Sequence, residues 1–200
     1  MGRLRGTNPN HPKKGSRITV EPIRDEKHIK RVKRLLKDNP RDLLLFTMGI
    51  NNGLRISDLL KLKVADVKDL EPGETLKIKE QKTGKINVLM INKSVHNVLR
   101  EYLSKEGAGD EDYLFKSRNG KNKPLAKETV NKMVKKWTES FKGNYGTHTL
   151  RKTFGYVQRT KYGVSSEVLC KRFGHSSPSI TMRYLGIDDK EVNGILLNEI

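Results

Sequence analysis

GTHTLRKTFGYVQRTKYGVSSEVLCKRFGHSSPSITMRYL, residues Gly146–Leu185, is the stretch around which the chain is organised. Its apolar spacing and punctuation predict three consecutive helices. Thr147 can cap the first, which buries Leu150, Phe154 and Val157. Ser165 or Ser166 caps a short second helix through Phe173, ended by Gly174-His175. Ser177-Pro178 starts the third. Four residues suited to phosphate chemistry ride on this frame. His148 and Arg151, three apart, share a helix face near an N-terminus, where backbone N–H groups favour an anion. His175 and Tyr184 lie on either side of the Ser-Pro. Two imidazoles, a guanidinium and a phenol are what covalent attack on a phosphate would need. Taken singly, a Gly-His is ordinarily a helix end and a tyrosine in MRYLG a half-buried packing residue, so the rest of the chain has to decide.

Charge narrows the partners. Lys and Arg outnumber Asp and Glu 41 to 23, for a net charge of +18. The first hundred residues hold 23 basic and 11 acidic side chains and the second hundred 18 and 12, so the excess belongs to the folded body. Such a surface seeks a polyanion, by default nucleic acid. The single cysteine, Cys170, excludes an intramolecular disulfide and a Cys-cluster zinc site; within VLCKRF it reads as a core residue. No apolar run is long enough for a signal peptide or membrane span. The expected location is the bacterial or archaeal cytoplasm, at the nucleoid.

Upstream, the polar set gains members. Residues 1–20 are expected to be a flexible basic arm carrying Arg3, Arg5, Lys13, Lys14 and Arg17, which either lies along phosphates or is an unstructured leader. Asp25 to Lys37 reads as an amphipathic helix with Ile29, Val32, Leu35 and Leu36 on one stripe. Asn39-Pro40 opens a second helix, apolar nearly all round through LLLFTMGI, that stops at Asn51-Asn52-Gly53. Arg55 follows at once in GLRISDLL. A guanidinium between two apolar segments is costly unless paired or functional. It is either a loop arginine paired with Asp58 or one held toward a bound anion.

Thr75 to Asn92 changes to a two-residue period and predicts a β-hairpin with the turn Gln81-Lys82-Thr83-Gly84-Lys85. This turn can swing an ammonium into a groove, or be an ordinary exposed tip. Ser94 can cap a helix bearing Val95, Val98, Leu99, Tyr102 and Leu103. Tyr113-Leu114-Phe115 anchors a basic loop with Lys116, Arg118, Lys121 and Lys123, a candidate phosphate contact. A further helix carries Val130, Met133, Val134, Trp137 and Phe141, which makes Trp137 a core residue. The fold class is mainly α with a small antiparallel hairpin.

Together, Arg55, a hairpin lysine, His148, Arg151, His175 and Tyr184 resemble the tyrosine recombinase (phage integrase) family. GLRISDLL is similar to its first arginine box, HTLRKTF to its His-x-x-Arg box, and GHSSPSITMRYLG to its Gly-His box with the tyrosine nine residues later. EQKTGKINVLMI is similar to the hairpin of its catalytic lysine. Any one box is weak; all of them in order are specific. The resemblance implies the family's catalytic-domain fold over residues 21–187, followed by a tail at 188–200. It implies a site-specific recombinase in which Tyr184 attacks the scissile phosphate to leave a 3′-phosphotyrosine and a 5′-hydroxyl. Arg55 and Arg151 would clamp the non-bridging oxygens, Lys82 would protonate the leaving oxygen with Lys85 as its competitor, His148 would accept the tyrosine proton, and His175 would hydrogen-bond the phosphate. Asp58 would orient this set from behind. No metal or cofactor is implied.

The implied partners are double-stranded DNA, a homo-oligomer that is a tetramer on DNA and a monomer when free, and accessory DNA-bending proteins. Lys85, Lys116, Arg118, Lys121, Lys123 and the arm would contact DNA. A type IB topoisomerase shares this chemistry, and a non-catalytic DNA-binding protein could share the fold. The family usually places a separate helical DNA-binding domain before this one; here the expectation is either a minimal recombinase, like the fimbrial-switch invertases in length, or an excised fragment. The tail has four acids and one lysine; Val192, Ile195 and Leu196 would dock on the chain's own body or on a neighbouring subunit.

Overall fold

The structure, a computed structural model, describes residues 19–119 and 121–187. The arm with Arg3, Arg5, Lys13, Lys14 and Arg17 and the acidic tail lie outside the described residues. Helix α1 (Glu26–Leu35) starts at Asp25, whose side chain accepts the Lys27 amide at 2.7 Å. Its stripe is narrower than the apolar spacing predicts. Val32 and Leu36 are buried, but Leu35 is 61% exposed. The buried arc runs through positions 29, 32 and 36, and at about 100° per residue Leu35 falls beyond its edge.

Helix α2 (Pro40–Asn52) is the central post, with every residue from Leu43 to Gly49 buried. Pro40 occupies its first position, whereas Asn39 stands at the cap without a side-chain bond. Gly53 ends it with φ +60°, and a Cβ there would meet the Phe154 ring at 2.3 Å. Both the left-handed backbone and the close ring demand glycine.

A short helix α3 (Ile56–Leu59) leads to the hairpin β1 (Thr75–Lys79) and β2 (Ile86–Met90), paired antiparallel from Thr75 opposite Met90 to Lys79 opposite Ile86. Ile78 and Leu89 turn inward, while Ile86 and Met90 are 63% and 48% exposed. Two apolar alternations compete in β2, and docking on the helices chose the one through Leu89 and Ile91.

Helix α4 (Lys93–Glu106) is capped by Asn92, which accepts the Val95 amide, rather than by Ser94. Helix α5 (Lys127–Trp137) buries Val130, Val134 and Trp137, the last edge-on to Phe46 at 6.0 Å between ring centres. Helices α6 (Thr147–Thr160), α7 (Ser166–Phe173) and α8 (Pro178–Leu185) follow. Gly146, not Thr147, holds the cap position of α6; its amide is satisfied by Thr149 Oγ1 at 3.0 Å. Ser165 and Ser177 cap α7 and α8.

Helix α2 packs against α4 and α6, and the α7–α8 pair rests on α6. Two apolar clusters result. The larger surrounds α2; the smaller joins Leu169, Phe173, Leu185 and Ile187, with Phe154 and Tyr184 packed against it. This second cluster is the seat of Tyr184. Cys170 is half-buried, its thiol directed at the His175 carbonyl at 3.2 Å.

Candidate active site

Each site residue comes from the end of an element. Arg55 stands at the cap position of α3 with an extended backbone, φ −69° and ψ 142°. Its partner is not Asp58. Nη1 lies 2.6 Å from Glu80 Oε1, at the end of β1. Asp58, 1% exposed, instead accepts the Gln81 amide at 2.9 Å and so ties the hairpin tip to α3. Burial opposes the charge on Glu80, yet bonds from Thr83 and Asn87 and the Arg55 charge outweigh it and hold the carboxyl below its usual range.

Helix α6 supplies two residues. His148 sits at the second position, with Arg151 one turn further. Arg151 is 4% exposed and donates to the carbonyls of Gly53 at 2.6 Å and Phe173 at 2.9 Å. Two of its five N–H groups are thereby fixed, and the Tyr184 hydroxyl also lies within its reach. Its guanidinium also lies 4.6 Å from the Phe173 ring centre. Burial lowers its pKa to about 10, which leaves it charged at neutral pH. His148 is held below 6.5, first by desolvation and then by the charges of Arg151, Lys152, Arg55 and Lys82. The ring is therefore neutral near pH 7 and able to accept a proton.

Gly174 closes α7 in the left-handed conformation and turns His175 inward. His175 Nδ1 lies 2.9 Å from Thr181 Oγ1, a fully buried hydroxyl one turn before Tyr184. Burial, then Arg151 and Arg55, lower the His175 pKa too.

Tyr184 points its hydroxyl at His148 Nδ1, 3.5 Å away. Its ring is cradled by His175 at 5.1 Å and Phe173 at 5.7 Å between ring centres, with Lys152 Nζ 4.8 Å from its centre. Burial pushes the phenol pKa up, while Arg151 and Arg55 act against that rise.

The hairpin tip now separates its two lysines. A cleft of about 310 Å³ is lined by Arg55, Lys82, His148 and Arg151, together with Lys127 and Thr147. Lys85 faces a different depression, beside Val168, Lys171 and Arg172. A larger cleft of about 460 Å³ between α1, α2, α4 and α6 contains none of the candidate catalytic or DNA-contact residues, so chemistry and not size marks the site. Arg118, Lys121 and Lys123 are exposed on their loop, whereas Lys116 pairs with Asp112 at 2.8 Å. Among the described residues, no group of His, Cys, Asp and Glu is arranged to hold a metal ion, and no helix is long and apolar enough to cross a membrane.

The sequence reading missed Glu80, Lys127, Lys152, Thr181 and Arg172. Lys152 left a signal, because it stands four residues after His148 and so shares its helix face. Thr181 likewise stands three residues before Tyr184. Glu80, Lys127 and Arg172 left none, since each reaches its place through tertiary packing.

The Phage integrase family model matches residues 13–191. The chain is 41% identical over 174 residues to the probable integrase/recombinase YoeC of Bacillus subtilis (strain 168), an alignment covering 85% of this chain and 91% of that one. It is 32% identical over 157 residues to the tyrosine recombinase XerA of Pyrococcus horikoshii, covering 78% of this chain and about half (53%) of that relative's length. Among solved structures, it is similar to the XerA recombinase with TM-score 0.72, 21% identity, and 90% and 67% of the two chains covered. It is similar also to the XerH recombinase bound to palindromic difH substrate, with TM-score 0.69, 22% identity, and 86% and 49% covered. At these identities the solved structures show the shared fold.

Proposed function

The chain belongs to the phage integrase family, the tyrosine recombinases, and from that premise we propose that its cleft breaks and rejoins double-stranded DNA at specific sites through Tyr184. One observation carries the reading: Arg55, Lys82, His148 and Arg151 line one cleft, and the Tyr184 hydroxyl lies 3.5 Å from His148 Nδ1.

The proposed step is a transesterification. The Tyr184 oxygen attacks a backbone phosphorus, the bond to the 5′-oxygen breaks, and a 3′-phosphotyrosine preserves the bond energy for rejoining. A half-buried phenol with a raised pKa cannot ionise unaided at neutral pH, so neutral His148 takes its proton. Negative charge grows on the non-bridging oxygens. Arg151, anchored to two carbonyls, and Arg55, held by Glu80, offer rigid planar donors to them. Lys82, at the cleft wall, gives a proton to the departing 5′-oxygen. His175, its Nδ1 engaged with the Thr181 hydroxyl, meets a phosphate oxygen through Nε2. Rejoining runs these transfers backward, with His148 returning the proton.

Partners follow from the same reading. DNA is the substrate, bound by the basic surface around the cleft. Four copies assemble on two sites, since exchange needs four strands cut, with DNA-bending proteins as accessory partners. The testing experiment uses nicked suicide duplexes carrying a site that the protein selects from a randomised DNA library. The wild type is expected to accumulate a covalent adduct and Tyr184→Phe none. Tight DNA binding with no adduct would move the reading to a non-catalytic binding protein.

A further inference from the structure

Behind the cleft runs a chain of polar contacts, of which the proposed chemistry uses only the Arg55–Glu80 pair. Glu80, 5% exposed, meets Arg55 Nη1 with Oε1 at 2.6 Å. The same oxygen accepts from Asn87 Nδ2 at 2.9 Å, and Oε2 accepts from the Thr83 hydroxyl at 2.5 Å. Asn87 Oδ1 in turn accepts from Arg172 Nη1 at 2.6 Å. Arg172 Nη2 donates to the carbonyls of Asn52 at 2.5 Å and Val88 at 2.9 Å. The line runs from α7, through β2 and β1, to Arg55.

We propose that Glu80 is a positioning residue that presents Arg55 to the scissile phosphate, and that Arg172 anchors it through Asn87. This rests on the recombinase reading of the cleft. A carboxylate beside a phosphate site repels the phosphate, so Glu80 costs affinity; in exchange it fixes a guanidinium that otherwise hangs from four rotatable bonds. The Arg55–Glu80 contact is a close charge pair in which Nη1 is buried. Arg55 is thus held through Nη1 while it lines the cleft where a phosphate would sit. Glu80 also governs the tip. Its amide bonds the Lys85 carbonyl and its carbonyl the Gly84 amide, both at 2.9 Å, and Lys82 lies inside that loop. Residue 80 therefore holds the clamp with its carboxylate, and the loop around the lysine with its backbone and its Thr83 bond.

The test uses the full chain and the library-selected duplex. Glu80→Gln keeps the shape: its Oε1 can still accept from Asn87 and face Arg55, and its Nε2 can donate to Thr83 Oγ1. We expect it to bind intact duplex about three- to tenfold more tightly, one nearby negative charge being gone. Its single-turnover adduct rate at saturating DNA should fall about 10- to 100-fold, the scale of a misplaced clamp. Its melting temperature should stay near that of the wild type. Arg172→Met should lose rate without gaining affinity, and the double variant should lose less than the two single losses combined. Affinity and rate falling together, a large loss of melting temperature, or an unchanged rate would each overturn the proposal. If Glu80→Gln does not fold, Arg172→Met decides: slower cleavage at unchanged affinity supports the relay, and unchanged cleavage overturns it. If the wild type forms no adduct, the recombinase reading fails separately, and the affinity of Glu80→Gln alone then supports or refutes the relay.

Discussion

Gly155 offers a sharp test of how Tyr184 is placed. It lies on the face of α6 that receives α8. A Cβ at Gly155 would sit 2.7 Å from Leu185 Cδ2 and from Phe173 Cε2 and Cζ. Carbon atoms pack at about 3.5–4.0 Å, so Gly155→Ala has to open this seat by about 1 Å. Phe173 and Leu185 are fully buried and cannot swing aside, so α8 must ride outward. Two energies oppose each other. Alanine favours the helix by about 1 kcal/mol, and overpacking costs about 1–3 kcal/mol. The net loss is about 0–2 kcal/mol, or about 0–8 °C in melting temperature for a domain of this size. The tyrosine hydroxyl, 3.5 Å from His148, moves with α8. Displacement by about 1 Å at a reacting centre costs about 100-fold in rate. The expected variant is folded, binds DNA like the wild type, and forms the adduct about 100-fold more slowly under single-turnover conditions. An adduct rate within threefold of wild type, with the chain folded, would refute the claim that this contact seats the tyrosine.

Three further outcomes are expected. Lys82→Ala should slow cleavage by about 10²- to 10⁴-fold while Lys85→Ala stays within a fewfold of wild type; a duplex with sulfur at the leaving 5′ position, which departs without a proton, should rescue the first. The pKa values of His148 and His175 lie below 6.5 in the fold, so the unfolded chain binds more protons as pH falls through 6.5. Stability measured by denaturant should therefore level off above that pH and decline below it, and the cleavage rate should fall when His148 protonates, an acidic limb absent in His148→Gln. Duplex affinity should drop about 10³- to 10⁵-fold between 50 and 200 mM salt if six to ten phosphates are contacted; fluorescence anisotropy across a salt series measures it, and a flat response would contradict the electrostatic footing.

The order of boxes and the helix punctuation were legible because they depend on neighbours in the chain. Gly53, Gly174 and the Ser-Pro before α8 each end or start a helix by local backbone preference, and the structure places them so. His148 and Arg151 follow from the helical repeat. The shift of the α4 cap from Ser94 to Asn92 and of the α6 cap from Thr147 to Gly146 shows where local rules are ambiguous: several residues near each start can cap, and packing selects one.

By itself the sequence determined the element order, the basic surface, and which residue types could meet a phosphate. Only the tertiary structure put Lys82 in the cleft with the arginines and Lys85 beside another depression, since a hairpin tip points according to how its strands dock. It also replaced Asp58 with Glu80 as the partner of Arg55, and brought Arg172 from α7 to tie β2 to the end of α2. The physical reason is common to all three. A charged side chain carries no periodic mark of its partner when that partner lies 25 or 85 residues away along the chain, and only closure of the core brings the two within bonding distance.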